Sequence, residues 1–123
     1  MAPATVLVID DDPQIASMMK MVLGREGHQV EAALTGEQAL SLAAERPPDV
    51  ILLDLHMPDI PGTTIIARLR DELGLTKVPI IVATGDTEAP ELPEAFATMI
   101  KPFHLDSLLE TIEAAVARWG QEQ

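Results

Sequence analysis

The chain has no cysteine and no tyrosine, and it contains only one tryptophan and two phenylalanines. The lack of cysteine excludes disulfide bonds and thiolate chemistry. Because aromatic residues are scarce while 47% of all residues are hydrophobic, the core must consist mainly of aliphatic side chains. With a length of 123 residues, we expect residues 1–123 to form a single domain.

Positive charge is also scarce, since 8 Lys and Arg residues face 20 Asp and Glu residues and give a net charge of −12. Proteins that bind nucleic acid need a basic surface, so we expect no direct nucleic-acid partner. An acidic surface also disfavours binding to anionic membranes. The first apolar run, residues 6–9, is too short for a signal peptide or a membrane span. These features predict a cytoplasmic protein without a membrane partner.

Short apolar runs alternate with segments of helical periodicity along the chain. Three strong strands are predicted at residues 6–9, 50–53 and 79–83, and two weaker ones at residues 29–33 and 98–100. The segments between them predict helices at residues 13–24, 35–45, 63–73 and 105–119. Strands that alternate with helices indicate βαβ units and a mostly parallel sheet.

Two local patterns give more detailed predictions. In the first helix, Ile15, Met18, Met19 and Val22 recur at the spacing of one helix face. His28 lies beside Gly27, near a predicted turn, and we expect its side chain to be exposed.

Polar side chains stand where the predicted strands end. The residues at these ends are Asp10, Asp11, Asp12, Asp54, Thr84 and Lys101. In open α/β sheets, ligands bind outside the carboxyl ends of the strands, so we expect these side chains to form one site.

Carboxylates that converge at one site repel each other unless a cation lies between them. Oxygen ligands favour Mg²⁺, Mn²⁺ or Ca²⁺. A carboxylate, a hard cation, a lysine and a hydroxyl are the components needed for phosphoryl transfer to an aspartate. Structural explanations compete with this one: Asp12 precedes Pro13 and is more simply read as a helix N-cap, and Asp54 would also suit the start of a turn.

Five motifs occur in order along the chain: VLVIDDDP at residues 6–13, LLDLHMP at 52–58, PG at 61–62, TG at 84–85 and KPF at 101–103. Together they resemble the receiver domain of two-component response regulators, and the match spans nearly the whole chain. The resemblance implies a flavodoxin-like, doubly wound α/β fold with five parallel strands in the order 2-1-3-4-5 and helices on both faces. Because 123 residues are too few for a second core, we expect a stand-alone receiver domain without an output domain.

The resemblance further implies a role for each matched residue. Asp54 is the phospho-acceptor, and Mg²⁺, with Mn²⁺ as an alternative, is held by Asp10, Asp11, Asp54 and the backbone carbonyl of His56. Thr84 and Lys101 bind the phosphoryl group, Thr84 as the switch hydroxyl, and the peptide bond before Pro102 is cis. The residues that flank the pocket and tune the phosphoryl lifetime are His56, Gly85 and Asp86.

The implied function is a phospho-acceptor switch rather than an enzyme that turns over an external substrate. A histidine kinase or phosphotransfer protein donates the phosphoryl group to Asp54, and an unidentified downstream protein recognises the changed surface. A signalling output and a phosphate sink are both compatible with this function.

The sequence departs from the family pattern in two places. Thr98 occupies the position where the family usually has an aromatic switch residue. The segment between Thr84 and Lys101 is shorter than usual by roughly a helical turn and contains Pro90 and Pro93, which oppose a regular helix.

The fourth helix of the family is therefore expected to be short or absent. A reduced fourth helix also occurs in stand-alone receivers with the FATGUY motif. Ala83, Thr84 and Gly85 match that motif, so the chain resembles this subclass as well.

Two other functions are compatible with parts of the sequence. A phosphohydrolase of the haloacid-dehalogenase type also uses a nucleophilic Asp, but it requires a second Asp two residues later, where this chain has His56. A binding module that kept the fold and lost phosphorylation is the other alternative, favoured only by the altered segment before Lys101. The chain could also be a fragment of a larger regulator.

Overall fold

The computed structural model describes residues 3–85, 92 and 95–122. Within these residues, the chain forms five strands and four helices in the order predicted. The elements are β1 (Thr5–Ile9), α1 (Pro13–Arg25), β2 (Gln29–Ala33), α2 (Gly36–Glu45), β3 (Val50–Asp54), α3 (Gly62–Asp71), β4 (Ile80–Thr84), β5 (Ala97–Ile100) and α4 (Leu105–Glu122). In the described part of the chain, no helix has the length and apolar character needed to cross a membrane.

The five strands form one parallel sheet in the order β2-β1-β3-β4-β5, which confirms the predicted doubly wound fold. Strand β2 lies on one side of β1, whereas β3, β4 and β5 follow on the other side, so the strand order changes direction between β1 and β3. The carboxyl ends of these parallel strands all lie at one edge of the sheet. The central strands β1, β3 and β4 are almost wholly buried, as their continuous apolar runs predict.

The side chains of each strand alternate between two aliphatic cores, one on each face of the sheet. On one face, α2 and α3 pack against side chains that include Leu7, Ile51 and Ile80. On the other face, α1 and α4 pack against side chains that include Val8, Leu52 and Ile81. Two cores on opposite faces hold the three central strands rigidly, and these strands carry Asp10, Asp54 and Thr84 at their ends.

The buried stripe of helix α1 agrees with the prediction at Met19 and, in part, at Ile15 and Val22, and differs from it at Met18. Met18 is 47% exposed, whereas Ala16, Met19 and Leu23 are buried. Ala16 and Leu23 lie three positions before and four positions after Met19, so these three residues share one face of the helix. The prediction for Met18 was wrong because adjacent apolar residues leave the helical phase ambiguous, and the small Ala16 side chain lets the helix approach the sheet on its own side.

His28 is buried, with only 5% of its surface exposed, so the expectation of an exposed side chain was wrong. Gly27 adopts a φ of 92°, which turns the chain sharply before β2. The His28 ring lies beside Ala4, the residue before β1, and its Nδ1 accepts a hydrogen bond of 3.1 Å from the Ala4 amide.

The prediction of a short or absent fourth helix concerns the segment between β4 and β5. Residues 86–91, 93 and 94, which make up most of this segment, lie outside the described residues. The described Leu92 and Ala95 pack at the margin of the core formed by α2 and α3. Thr98 is exposed and is paired with Val82 in the sheet.

Candidate functional site

Asp10 follows β1 directly and is held there by a backbone hydrogen bond of 3.1 Å from its amide to the Ala33 carbonyl. Its side chain is almost completely buried. Oδ1 accepts a hydrogen bond of 3.0 Å from the Asp12 amide, and Oδ2 lies 3.1 Å from Nζ of Lys101. Both oxygens of this buried carboxylate therefore have a hydrogen-bond donor.

Asp54 is the last residue of β3, and both of its carboxylate oxygens have a donor. Oδ1 accepts a hydrogen bond of 3.0 Å from the His56 amide, and Oδ2 lies 3.3 Å from Nζ of Lys101. These two contacts fix the orientation of a carboxylate whose side chain is only 12% exposed.

Lys101 follows the edge strand β5, and its ammonium contacts the carboxylates of both Asp10 and Asp54. Its amide donates to the Thr84 carbonyl over 2.7 Å, which continues the pairing of β4 with β5 and brings Nζ to the site. Burial disfavours the charged ammonium, but the hydrogen bond and charge of Asp10, followed by those of Asp54, raise the pKa of Lys101 above its ordinary value. The peptide bond between Lys101 and Pro102 is cis.

Asp10, Asp11 and Asp54 form an acidic cluster in which one oxygen of each carboxylate lies within 4.8 Å of the others. Asp10 is buried, Asp54 is partly buried and Asp11 is exposed, so the cluster opens to solvent on the Asp11 side. Three oxygen donors at this spacing suit a hard divalent cation that keeps part of its water shell, as Mg²⁺ does. The residues present therefore fit the predicted cation.

The other predicted site residues take different positions. Thr84 is fully buried at the end of β4, where it is paired with Ile100. His56 and Gly85 are exposed at the rim of the site, and Asp86 lies outside the described residues.

Asp12 serves as the N-cap of α1. Its side chain accepts a hydrogen bond of 2.9 Å from the Gln14 amide, as the order Asp-Pro predicts for a helix start. Asp12 thus differs from Asp10 and Asp11, although the three residues are consecutive.

Asp59 makes a contact with helix α2 that the sequence analysis did not predict. Its Oδ1 and Oδ2 accept hydrogen bonds of 2.8 and 3.0 Å from the amides of Gly36 and Glu37, the first two residues of α2. These amides hold the pKa of the Asp59 carboxyl below its usual value. The partners lie 23 and 22 positions away in the sequence, so no local pattern indicates the contact.

The protein-family model described as response regulator receiver domain matches residues 6–113 of the chain. The chain belongs to this family. The receiver fold, the parallel strand order and the acidic cluster at the carboxyl ends of the strands agree with that membership.

Among curated proteins, this receiver is 41% identical over 118 residues to the transcriptional regulatory protein KdpE of Mycobacterium tuberculosis. The aligned region covers 92% of the chain and 51% of KdpE. The receiver therefore spans about half the length of the curated relatives it matches. Some relatives are named as DNA-binding regulators, so the comparisons do not support the expectation of no nucleic-acid partner.

Solved structures include close matches to the receiver over nearly its whole length. The chemotaxis protein CheY4 of Vibrio cholerae has a TM-score of 0.84 and 31% identity, and the match covers 93% of this chain and 99% of CheY4. TrrA of Thermotoga maritima, solved in complex with Mg²⁺-BeF, has a TM-score of 0.80 and 28% identity, with 90% and 97% coverage. Resemblance to the FATGUY subclass remains a prediction.

Proposed function

We propose that this receiver is a phospho-acceptor switch in which Asp54 takes up a phosphoryl group from a phosphohistidine in a histidine kinase or phosphotransfer protein. The proposal assigns Asp10, Asp11, Asp54 and the His56 carbonyl to a Mg²⁺ site. It assigns Thr84 and Lys101 to the phosphoryl oxygens. Mn²⁺ has the same ligand preference and is expected to substitute.

The observation that carries the proposal is the contact of Lys101 with two carboxylates from different strands. Nζ lies 3.1 Å from Asp10 and 3.3 Å from Asp54, residues that are 91 and 47 positions distant in sequence. A purely structural ion pair needs one carboxylate, whereas here two carboxylates contact the same ammonium. A third, that of Asp11, places an oxygen within 4.8 Å of oxygens of both Asp10 and Asp54. An excess of carboxylates over cations at a partly buried site is consistent with a site that receives a further cation.

In the transfer step, a carboxylate oxygen of Asp54 attacks phosphorus in line with the leaving group. A phosphorus–oxygen bond forms, and the phosphorus–nitrogen bond to the donor imidazole breaks as that ring keeps the bond's electron pair. Mg²⁺ held by Asp10, Asp11 and Asp54 would supply positive charge that offsets the negative charge of the phosphoryl oxygens. Lys101 and the Thr84 hydroxyl bind the remaining oxygens, and the His56 amide holds Asp54 in a fixed orientation.

Phosphorylation adds negative charge beside Lys101, and we expect this ammonium to exchange part of its contact with Asp54 for the new phosphoryl oxygens. The Lys101 amide donates a hydrogen bond to the Thr84 carbonyl, so we expect a shift of one residue to be transmitted to the other and to β5. A partner protein then recognises the altered surface. Attack of water on phosphorus releases inorganic phosphate and restores the Asp54 carboxylate.

The proposal is tested by intact-mass spectrometry after incubation with acetyl phosphate and Mg²⁺. Wild-type protein is expected to gain one phosphoryl group, and Asp54→Asn is expected to gain none. Asp71→Asn is the control, because Asp71 is exposed at the end of α3 and its substitution changes the charge equally.

A phosphoryl group retained in Asp54→Asn would contradict the assignment of the acceptor. If wild-type protein gains no phosphoryl group, binding of beryllofluoride with Mg²⁺ is measured next. Failure of both would favour the binding-module alternative.

A further inference from the structure

The stretch between β3 and α3, residues 55–61, is tied to the N-terminus of α2 by one side chain. Asp59 uses both carboxylate oxygens for this contact, one for the Gly36 amide and one for the Glu37 amide. The first amides of a helix have no partner within the helix, so a carboxylate at this position supplies a missing acceptor and opposes the positive end of the helix dipole.

The helix does not depend on Asp59 alone for its capping. Thr35 accepts a hydrogen bond of 3.1 Å from the Gln38 amide, and the Gln38 side chain accepts one of 2.9 Å from the Leu34 amide. A local cap is therefore already present. The contact of Asp59 differs because it comes from another segment of the chain, so it also fixes that segment.

Packing beside Asp59 holds the same segment close to α2 and α3. A Cβ atom at Gly36 would approach Cβ of Ile60 to 3.1 Å, and one at Gly62 would approach Cα of Leu55 to 2.7 Å. The Gly62 amide also donates to the Leu55 carbonyl over 3.0 Å, which closes the two ends of the segment on each other. Glycine is required at Gly62, where a Cβ atom would overlap the Leu55 backbone, whereas a Cβ atom at Gly36 would require Ile60 and Ile65 to shift by a few tenths of an ångström.

This anchored segment begins at the phospho-acceptor. His56 is two residues after Asp54, and its amide orients Oδ1 of that carboxylate. The proposed function also gives the His56 carbonyl a place in the Mg²⁺ site. The His56 amide thus contacts the acceptor directly, the proposed function assigns the His56 carbonyl to the cation, and the position of both groups depends on what anchors residues 55–61.

We infer that Asp59 is a positioning residue for the phosphorylation site: by binding the first two amides of α2, it holds residues 55–61 so that the backbone of His56 is aligned with Asp54 and the cation. The carboxylate of Asp59 does not contact the cation or the phosphoryl group. This inference rests on the proposed function, because it concerns the geometry of the same site.

The test compares Asp59→Ala with Thr35→Ala, which removes the local cap of the same helix and leaves residues 55–61 anchored. Binding of Mg²⁺ is followed by two-dimensional NMR of the amides, at a temperature where all variants are folded. We expect Asp59→Ala to weaken Mg²⁺ binding by about tenfold, the lower end of the range for groups that orient metal ligands. Thr35→Ala is expected to stay within about twofold, since it touches no group near the site.

A second readout needs no metal. In the Mg²⁺-free protein, the His56 amide is expected to exchange with solvent faster in Asp59→Ala than in wild type, and to be unchanged in Thr35→Ala. Asp59→Asn keeps one carbonyl oxygen as an acceptor, so its affinity for Mg²⁺ is expected to fall between those of wild type and Asp59→Ala. This variant also serves if Asp59→Ala does not fold.

Three outcomes separate the inference from the function on which it rests. Equal losses of Mg²⁺ affinity in Asp59→Ala and Thr35→Ala would overturn the inference and assign both effects to the end of the helix. Wild-type affinity in Asp59→Ala would overturn it as well. Absence of Mg²⁺ binding in wild-type protein would instead contradict the proposed function.

Discussion

The two ends of the β-sheet both contain buried polar groups, but they use them differently. At the end we call the carboxyl edge, formed by Asp10, Asp54 and Lys101, charged side chains contact each other. At the opposite end, the amino edge formed by Ala4, His28 and Asp49, side chains bind the backbone of neighbouring strands. In the first arrangement, a charged ligand can change which ion pairs form. In the second, the side chains connect one strand to the next.

At the amino edge, side chains and backbone amides together connect the starts of neighbouring strands. His28 Nδ1 accepts the Ala4 amide, and the Gln29 amide donates to the Ala4 carbonyl, so β2 begins in register with β1. Asp49 makes an equivalent pair of contacts with Thr5, through its side chain and its amide. Burial of a polar residue is therefore not by itself a sign of function: the buried His28 ring accepts from a backbone amide, whereas the buried Asp10 carboxylate contacts the Lys101 ammonium.

The largest difference between the edges should appear when the charge at the carboxyl edge is reduced. We expect Asp11→Asn to weaken Mg²⁺ binding by about a hundredfold, because it replaces a carboxylate ligand with a neutral amide. In Mg²⁺-free protein the same substitution is expected to raise the thermal unfolding midpoint, since it relieves repulsion from Asp10 and Asp54. Calorimetric titration with Mg²⁺ and thermal unfolding measure the two effects.

Asp12→Asn is the matched control for this experiment. It changes the net charge equally at the adjacent position, and Asn caps a helix as well as Asp does. If Asp12→Asn weakens Mg²⁺ binding as strongly as Asp11→Asn, the cation is attracted by the general negative charge and not bound at the Asp10, Asp11 and Asp54 cluster.

The amino edge should show the reverse behaviour, a loss of stability without a loss of cation binding. We expect His28→Ala to lower the free energy of unfolding by about 2 kcal/mol, because it leaves a cavity and removes the acceptor of the Ala4 amide. Urea denaturation measures the loss. The expected cost is moderate because Nε2 of His28 has no hydrogen-bond partner among the described residues, so its removal also relieves a buried polar atom.

His104→Ala is the control, since His104 is exposed and its substitution should change the free energy of unfolding by less than about 0.5 kcal/mol. A His28→Ala protein that keeps its stability but loses Mg²⁺ affinity would break the distinction between the two edges.

The contrast between the edges also explains what the sequence predicts well. Runs such as residues 50–53 identify a strand buried on both faces, and the alternation of strands with helices fixes a parallel sheet. Parallel strands bring their carboxyl ends together, so Asp10, Asp54 and Lys101 are expected to converge although they are far apart in sequence. These side chains converge because of the parallel sheet topology, and the alternation of strands and helices in the sequence predicts that topology.

The features that the sequence does not predict depend on contacts between distant segments. His28 is buried because it reaches Ala4, and Asp59 binds Gly36 and Glu37, yet neither partner belongs to a local motif. Met18 is exposed because the sheet, and not the helix, decides which of two adjacent stripes is buried. Packing between distant segments determines which side chain is buried and which backbone groups it binds. The periodicity of a single sequence does not indicate these contacts.

The smallest expected effect concerns Asp49, an acid at the amino edge whose side chain accepts a hydrogen bond from the backbone of β1. We expect Asp49→Ala to lower the free energy of unfolding by about 1 kcal/mol, the net worth of the hydrogen bond from the Thr5 amide. Asp49→Asn keeps an acceptor oxygen and should cost less than about 0.5 kcal/mol. Both variants remove the same charge, so their difference in urea denaturation isolates the hydrogen bond from the relief of repulsion in a chain of net charge −12. If the two variants are equally destabilised, the charge of Asp49 matters at the amino edge, and the separation of the edges by the kind of partner does not hold there.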